Sequence, residues 1–203
     1  MKFTIVSGST RQSSQSIKVS KYIEHILWGK LHEECYLLNL ATANLKFWDE
    51  SFWQEDPNKF DANWTKARHE INNSDALIIV APEWNGMIPP ALKNFFHLAV
   101  KGEISNKPAL IVSVSASVNG VYPITELRMN SYKNTVLCYI PQHVIVRNVG
   151  TQLNDLVSPE NEEDKIIRER IESSLKVLIE YAKAFKTIRS SDAVKNFPFP
   201  YGM

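Results

Sequence analysis

At 203 residues, with 44% hydrophobic and 22% charged side chains, the chain has the make-up of an ordinary globular protein and the length of one α/β domain with a sizeable core. Lys and Arg number 23 against 22 Asp and Glu, a formal net charge of +1. That balance excludes the long-range field that draws a protein to nucleic acid or anionic lipid. The start, M-K-F-T-I-V-S-G, reads as a first strand and not a signal peptide, and no apolar stretch approaches membrane-spanning length. A cytoplasmic protein with neither membrane nor nucleic-acid partners is expected. Cys35 and Cys138 sit in apolar surroundings with no C-x-x-C spacing, so they read as buried reduced thiols and no metal is expected.

In chain order, Lys2 to Ser7 is a predicted strand, followed by the polar loop G-S-T-R-Q-S-S-Q-S from Gly8 to Ser16. Between Ile17 and Trp28, Val19, Tyr22, Ile23, Ile26 and Leu27 recur on one helical face, and Gly29 stops that helix. Cys35 to Leu40 is a second apolar run. Ala41 to Pro57 has no clear period and carries Phe47, Trp48, Phe52 and Trp53 among polar residues. Phe60, Trp64, Ala67 and Ile71 then mark the buried face of another helix. Ala76 to Ala81 is unbroken, rich in β-branched residues and ended by Pro82, the pattern of a strand buried on both faces. The turn P-E-W-N-G-M leads to Pro89 and Pro90, which open a helix ending near Val100 and Gly102.

Pro108 to Ser113 is the next buried strand, with S-V-S-A-S-V-N-G after it and a helix over Ile124 to Lys133. Thr135 to Val146 is apolar but interrupted by Pro141, as in a broken strand near a sheet edge. Ser158, Pro159, Glu160, Glu162 and Glu163 open the last helix, whose apolar face runs through Ile167, Ile171, Leu175, Leu178, Ala182 and Phe185. The tail ends in F-P-F-P-Y-G-M. This alternation predicts one α/β domain over 1–203, with 189–203 as its tail. Its five parallel strands form a doubly wound sheet of order 2-1-3-4-5 with helices on both faces.

Three loops leave the carboxyl ends of strands, where open α/β sheets bind ligands. The first offers Gly8 for a turn, the hydroxyls of Ser9, Thr10, Ser13, Ser14 and Ser16, and the charge of Arg11. Those are the parts of a phosphate cradle at a helix N-terminus, and equally those of a serine-capped polar turn. It is neither a Walker loop nor the dinucleotide fingerprint. In the second, Trp84 is placed to border a flat ring while Asn85, Gly86 and Met87 offer main-chain groups; the plain alternative is a turn whose tryptophan packs into the core. The third, around Ser115, Ala116 and Ser117, has side chains small enough for close backbone approach, or is a simple serine-rich turn. With strand order 2-1-3-4-5 all three converge, giving a phosphate end and a flat-ring end as flavin mononucleotide (FMN) demands.

These residues resemble the NADPH-dependent FMN reductase family, a flavodoxin-like family with azo-, quinone- and chromate-reducing members. G-S-T-R-Q-S-S-Q-S is similar to its G-S-x-R-x-x-S-x-N loop at Gly8, Ser9, Arg11 and Ser14, with Ser16 in place of asparagine. P-E-W-N-G-M-I-P-P-A-L-K-N resembles P-E-Y-N-x-x-x-P-x-x-L-K-N, with Trp84 for tyrosine and Pro90 where glycine is common. The resemblance implies that Ser9, Thr10, Arg11, Ser14, Gln15 and Ser16 hold the FMN phosphate. It implies that Pro82, Glu83, Trp84, Asn85, Gly86 and Met87 line the isoalloxazine, and that Ser115, Ala116 and Ser117 face its pyrimidine side. Hydride would come from NAD(P)H as cosubstrate and electrons would leave to a small-molecule acceptor: free flavin, a quinone, an azo compound or a metal oxyanion. No catalytic acid or base is required; Glu83 is expected as a structural hydrogen-bonder or interface residue and His97 as a helix residue packed near the sheet. A homodimer or homotetramer is implied too, and the aromatic segment Phe47–Trp53 and the tail Phe197–Tyr201 would suit an interface. Two other classes stay open, a non-enzymatic FMN-binding electron carrier of flavodoxin kind and a flavin-free binding module.

Overall fold

A computed structural model describes residues 1–54 and 60–199. Five strands, β1 (Lys2–Ser7), β2 (Glu34–Asn39), β3 (Ala76–Pro82), β4 (Pro108–Val114) and β5 (Cys138–Val146), pair in parallel in the order β2-β1-β3-β4-β5. The helices are α1 (Gln15–Gly29), α2 (Ser51–Gln54), α3 (Ala62–Asn72), α4 (Pro90–Leu98), α5 (Tyr122–Asn130), α6 (Glu162–Ser190) and α7 (Asp192–Lys195). Every residue of β3 and β4 is buried, which is why both read as continuous apolar runs. One core layer packs α1 and α6 on one face through residues such as Val19, Ile23, Leu175 and Leu178. The other packs α3, α4 and α5 opposite through Trp64, Ile71, Leu92, Phe95 and Leu127. Strand order and pairing are those expected from the sequence.

Several boundaries differ, each for a local reason. The helix expected over Ile124–Lys133 is α5, which ends at Asn130; Ser131 Oγ and Thr135 Oγ1 then donate to Leu127 O and Ser131 O, both at 2.7 Å, and carry the chain to β5. The pairing of β4 with β5 shifts between Ala109 and Ile111, opposite the segment holding Pro141, whose missing N–H cannot join the ladder. Arg128 Nη2 donates instead to the carbonyls of Ile140 and Pro141 at 2.7 and 3.0 Å. α6 opens at Asn161, whose side chain accepts from Asp164 N, so Ser158 and Glu160 precede the helix. Phe52, expected within an exposed aromatic segment, is fully buried against Phe60. Both cysteines are free and half-buried, not buried as expected; burial pushes the Cys35 thiol up to about 11 and raises that of Cys138.

Among the described residues, no helix is long and apolar enough to cross a membrane. Phe197 and Phe199 are exposed and stack edge-on with ring centres 5.7 Å apart. Tyr201 lies outside the described residues.

Candidate active site

The site grows from the carboxyl ends of β1, β3 and β4. β1 stops where Gly8 N donates to Val80 O at 2.9 Å. A Cβ on Gly8 would lie 2.9 Å from both Val80 O and Leu92 Cδ2, so only glycine lets the loop pass between β3 and α4. Ser9 Oγ accepts from Arg11 N at 3.2 Å, and Ser14 caps α1 by accepting from Ile17 N at 3.2 Å. Each serine thereby spends one lone pair and keeps its O–H to donate. Ser9, Ser14 and Ser16 are buried, while Thr10, Arg11 and Gln15 are exposed. Among the described residues, no carboxylate pairs with Arg11. A free guanidinium, free hydroxyls and the N-terminus of a 15-residue helix therefore face one spot.

After β3, Trp84 N donates to Met87 O at 2.8 Å and Met87 N to Trp84 O at 3.0 Å. Asn85 and Gly86 between them have φ of 51° and 74°. Two left-handed central residues make a type I′ turn, for which Asn-Gly is a favoured pair. The following helix accounts for L-K-N: Leu92 fills the space beneath Gly8, Lys93 pairs with Glu126 at 2.7 Å, and Asn94 holds the aromatic segment. The last makes two hydrogen bonds, one from Trp48 N to Asn94 Oδ1 at 2.8 Å and one from Asn94 Nδ2 to Lys46 O at 3.0 Å. His97 is exposed with its ring 6.2 Å from that of Trp48, a surface neighbour of the aromatic segment and not a residue against the sheet.

After β4, Ser115 N donates to Val146 O at 2.9 Å, Val149 N to Ser115 O at 3.1 Å and Asn148 N to Ser117 O at 3.0 Å. Arg147 Nε adds bonds to Val118 O and Asn119 O. The loop is thus tied to the end of β5, and Ala116 and Ser117 stay exposed.

A cleft of about 100 Å³ unites these pieces, lined by Ser9, Arg11, Ser14, Gln15, Ser16, Pro82, Glu83, Trp84, Val114, Ala116 and Val149. Of the residues predicted from the sequence it brings together Ser9, Arg11, Ser14, Gln15 and Ser16 of the serine-rich loop, Pro82, Glu83 and Trp84 of the β3 turn, and Ala116, while Thr10 stays outside. Asn85, Gly86 and Met87 form the tip of the turn, and Ser115 and Ser117 flank Ala116, so these five do not line the cleft. Val149 and its anchor were not legible in sequence. Lys18 Nζ donates to Val149 O and Asn154 Oδ1, both at 2.6 Å, and burial pulls its pKa down. Glu83 is a structural hydrogen-bonder as expected, accepting from Gly120 N.

The donor set suits a phosphate: buried hydroxyls with free O–H groups, an unpaired guanidinium and a helix N-terminus. The enclosed volume is a phosphate's worth and well short of the roughly 300 Å³ at which small-molecule pockets begin. A ring would lie outside it, across the turn and loop, where Met87, Val118, Val121 and Tyr122 are all half or more exposed.

A quinone reductase of Pseudomonas putida is 30% identical over 120 residues, which are 57% of this chain and 61% of the reductase's own length. An NADPH azoreductase of a Bacillus species is 22% identical over 156 residues, covering 77% of this chain and 82% of that protein. The fold is shared with FerB, a flavoenzyme NAD(P)H:(acceptor) oxidoreductase of Paracoccus denitrificans, at TM-score 0.74 and 18% identity over 91% of this chain and 98% of the other. The sequence model of one family, described as NADPH-dependent FMN reductase, matches residues 1–152. The chain belongs to the NADPH-dependent FMN reductase family.

Proposed function

We propose that this protein is an FMN-dependent NAD(P)H oxidoreductase that passes electrons to a small acceptor such as a quinone or an azo compound. The observation that carries this is the meeting, in one cleft at the topological switch point between β1 and β3, of the unpaired Arg11 and buried serine hydroxyls with the backbone turn at Pro82–Trp84. The names of its relatives, a quinone reductase and an NADPH azoreductase, support the same class of acceptor.

In this proposal Ser9, Ser14 and Ser16 donate hydroxyls to the FMN phosphate, Gln15 and Ser16 add backbone N–H groups at the start of α1, and Arg11 supplies the countercharge. Thr10 stands beside them at the loop's exposed edge. Main-chain groups of Pro82 to Met87 orient the ring from one side and those of Ser115 to Ser117 from the other, with Trp84 along its border. FMN, when bound, supplies the chemistry: it accepts hydride from NAD(P)H and returns electrons to the acceptor. The chain's own work is to hold, orient and cover. The apolar rim of Met87, Val118, Val121 and Tyr122 leaves the ring side open to planar acceptors.

The proposal extends to one cytoplasmic domain over residues 1–203, acting as a homodimer or homotetramer. Exposed Phe47, Trp48 and Trp53, of which Trp48 stands beside His97 with its amide held by Asn94, support a subunit contact there. The test of function is an absorbance spectrum after incubation with excess FMN and desalting. Retained flavin that anaerobic NADPH or NADH bleaches, followed by turnover with a quinone or azo dye, is the expected result. Flavin retained but untouched by either nicotinamide would overturn the oxidoreductase and leave a carrier; no flavin retained or titrated would overturn the cofactor.

A further inference from the structure

Two carboxylates reach across the open ring side in opposite directions. Glu83, in the turn after β3, accepts from Gly120 N at 2.7 Å in the loop after β4. Glu126, on α5 beyond that loop, accepts from Ile88 N at 2.8 Å where the turn ends. The bonds span 37 and 38 residues of sequence and belong to neither a helix nor the sheet. Lys93 of α4 pairs with Glu126 at 2.7 Å and so ties a third element to the same point. Gly120 and Ile88 are both buried residues, and an N–H taken from water and left without a partner is costly.

Gly120 is required for this contact. Its φ is +108°, and a Cβ there would lie 2.5 Å from Ile145 Cγ2, so a larger residue would clash and push the amide off the Glu83 carboxylate. Tyr122 closes the same gap from α5, its ring 3.9 Å from where a Cβ on Gly86 would stand. Carboxylates suit the task because they only accept, and a bond from N–H to a charged oxygen is stronger than one to a neutral carbonyl.

We propose that Glu83 and Glu126 form a reciprocal clamp that sets the distance between the P-E-W-N-G-M turn and the Ser115–Ser117 loop. They are positioning residues, and the proposal rests on those two backbones flanking an FMN ring, as argued above. Without the clamp the segments separate, and main-chain groups meant for opposite sides of one ring no longer converge on it. Glu126 is not among the residues lining the phosphate cleft, and the Glu83 carboxylate, which does line it, bonds Gly120 N and not Ser9, Arg11 or Ser14.

The experiment pairs amide hydrogen exchange at Gly120 and Ile88 in the cofactor-free full chain with FMN titration by fluorescence quenching. Glu83→Met and Glu126→Met keep bulk but lose the acceptor. Each is expected to speed exchange of its own amide at least tenfold and to weaken FMN binding about tenfold. Glu83→Gln and Glu126→Gln keep an acceptor oxygen and are expected within threefold of wild type in both measurements. Should a methionine variant fail to fold, Glu→Asp at that position, one methylene short, carries the same test. Unchanged exchange in the methionine variants, or faster exchange with wild-type FMN affinity, overturns the clamp while leaving the cofactor in place. Wild-type protein that binds no FMN overturns the reading on which the clamp rests, and with it any role toward a ring.

Discussion

The two ends of the sheet are built from similar residue types and treated oppositely. At the amino end the starts of β1, β2, β3 and β4 are held by charged groups. Asp75, just before β3, accepts from Lys2 N at 3.1 Å and pairs with Lys186 and Arg189 from the far end of α6 at 3.2 and 3.4 Å. Lys2 pairs with Glu70, the chain's first amine with Glu33, and Arg68 with a fully buried Glu103 at 2.7 Å. Lys107, beside β4, is buried and donates to Ile71 O and Asn72 O at 2.7 and 3.1 Å, closing the carboxyl end of α3. At the carboxyl end, among the described residues, no carboxylate pairs with Arg11 and the hydroxyls of Ser7 and Ser113 are buried without a partner. At the amino end these charged groups are spent on the fold, whereas Arg11 and these hydroxyls at the carboxyl end are held back. The contrast teaches where a ligand belongs without reference to any relative.

The sharpest way to break this contrast lies at the locked end. Burial, with Arg189 close by, pulls Lys107 from 10.5 down to about 8. Between those values the unfolded chain holds a proton that the folded chain has released, so ν_U exceeds ν_N and stability rises with pH. That separation corresponds to a gain of up to about 3 kcal/mol, reached as pH climbs from about 8 to 10.5. Lys107→Met removes that slope, so the stability of wild type relative to the variant is expected to climb as pH rises from 8 to 10.5. The measurement is urea unfolding of both proteins across pH 7 to 10.5, taken as a difference. Cys35 and Tyr139, held protonated by burial, pull the opposite way in both and cancel. Parallel curves for the two proteins would show that Lys107 keeps its proton on the helix carbonyls.

At the open end, Arg11→Ala should weaken FMN binding by about 1.5–3 kcal/mol, the scale of a bond to a charged group. Its exposed side chain carries no part of the fold, so stability should stay within about 0.5 kcal/mol. Equal FMN affinity in mutant and wild type would remove the phosphate assignment. Asp75→Asn is the mirror image. It should cost about 1–2 kcal/mol of stability, limited because Lys186 is half exposed, and leave FMN affinity unchanged. An effect of Asp75→Asn on FMN, with the fold intact, would mean the two ends are coupled.

How much of this is visible in sequence depends on whether a residue acts through its neighbours in the chain or across the fold. β3 and β4 are legible because burial on both faces makes nearly every position apolar, and right-handed crossovers make the observed order the simplest outcome. The phosphate side of the cleft is legible because Gly8 to Ser16 carries all its groups in one stretch. Val149 was missed because it enters from the β5 end, held by Lys18 at 131 residues' distance in sequence. Glu126 was missed for the same reason: on a helix surface it reads as any solvated acid until the fold sets it on Ile88 N. The aromatic segment was half legible. Alternation could not tell that Phe52 turns inward beneath Lys101 while Trp53, next to it, stays out.

Ser14 is where the two treatments overlap, and it sharpens the comparison most finely. Its Oγ caps α1 by accepting from Ile17 N at 3.2 Å, a task for the fold, while its O–H is free to donate into the cleft. Ser14→Ala should therefore cost about 1 kcal/mol of stability, as loss of an N-cap does. It should also weaken FMN by a further about 1 kcal/mol, the worth of one hydrogen bond. Ser14→Asp separates the tasks: the carboxylate still caps the helix, and its negative charge at the N-terminal dipole should hold stability at or above wild type. That same charge facing a phosphate should weaken FMN more than alanine does. Urea unfolding and FMN titration of the two variants test this directly. If Ser14→Asp binds FMN better than Ser14→Ala, the group at the start of α1 is not a phosphate, and the open end of the sheet serves some other ligand.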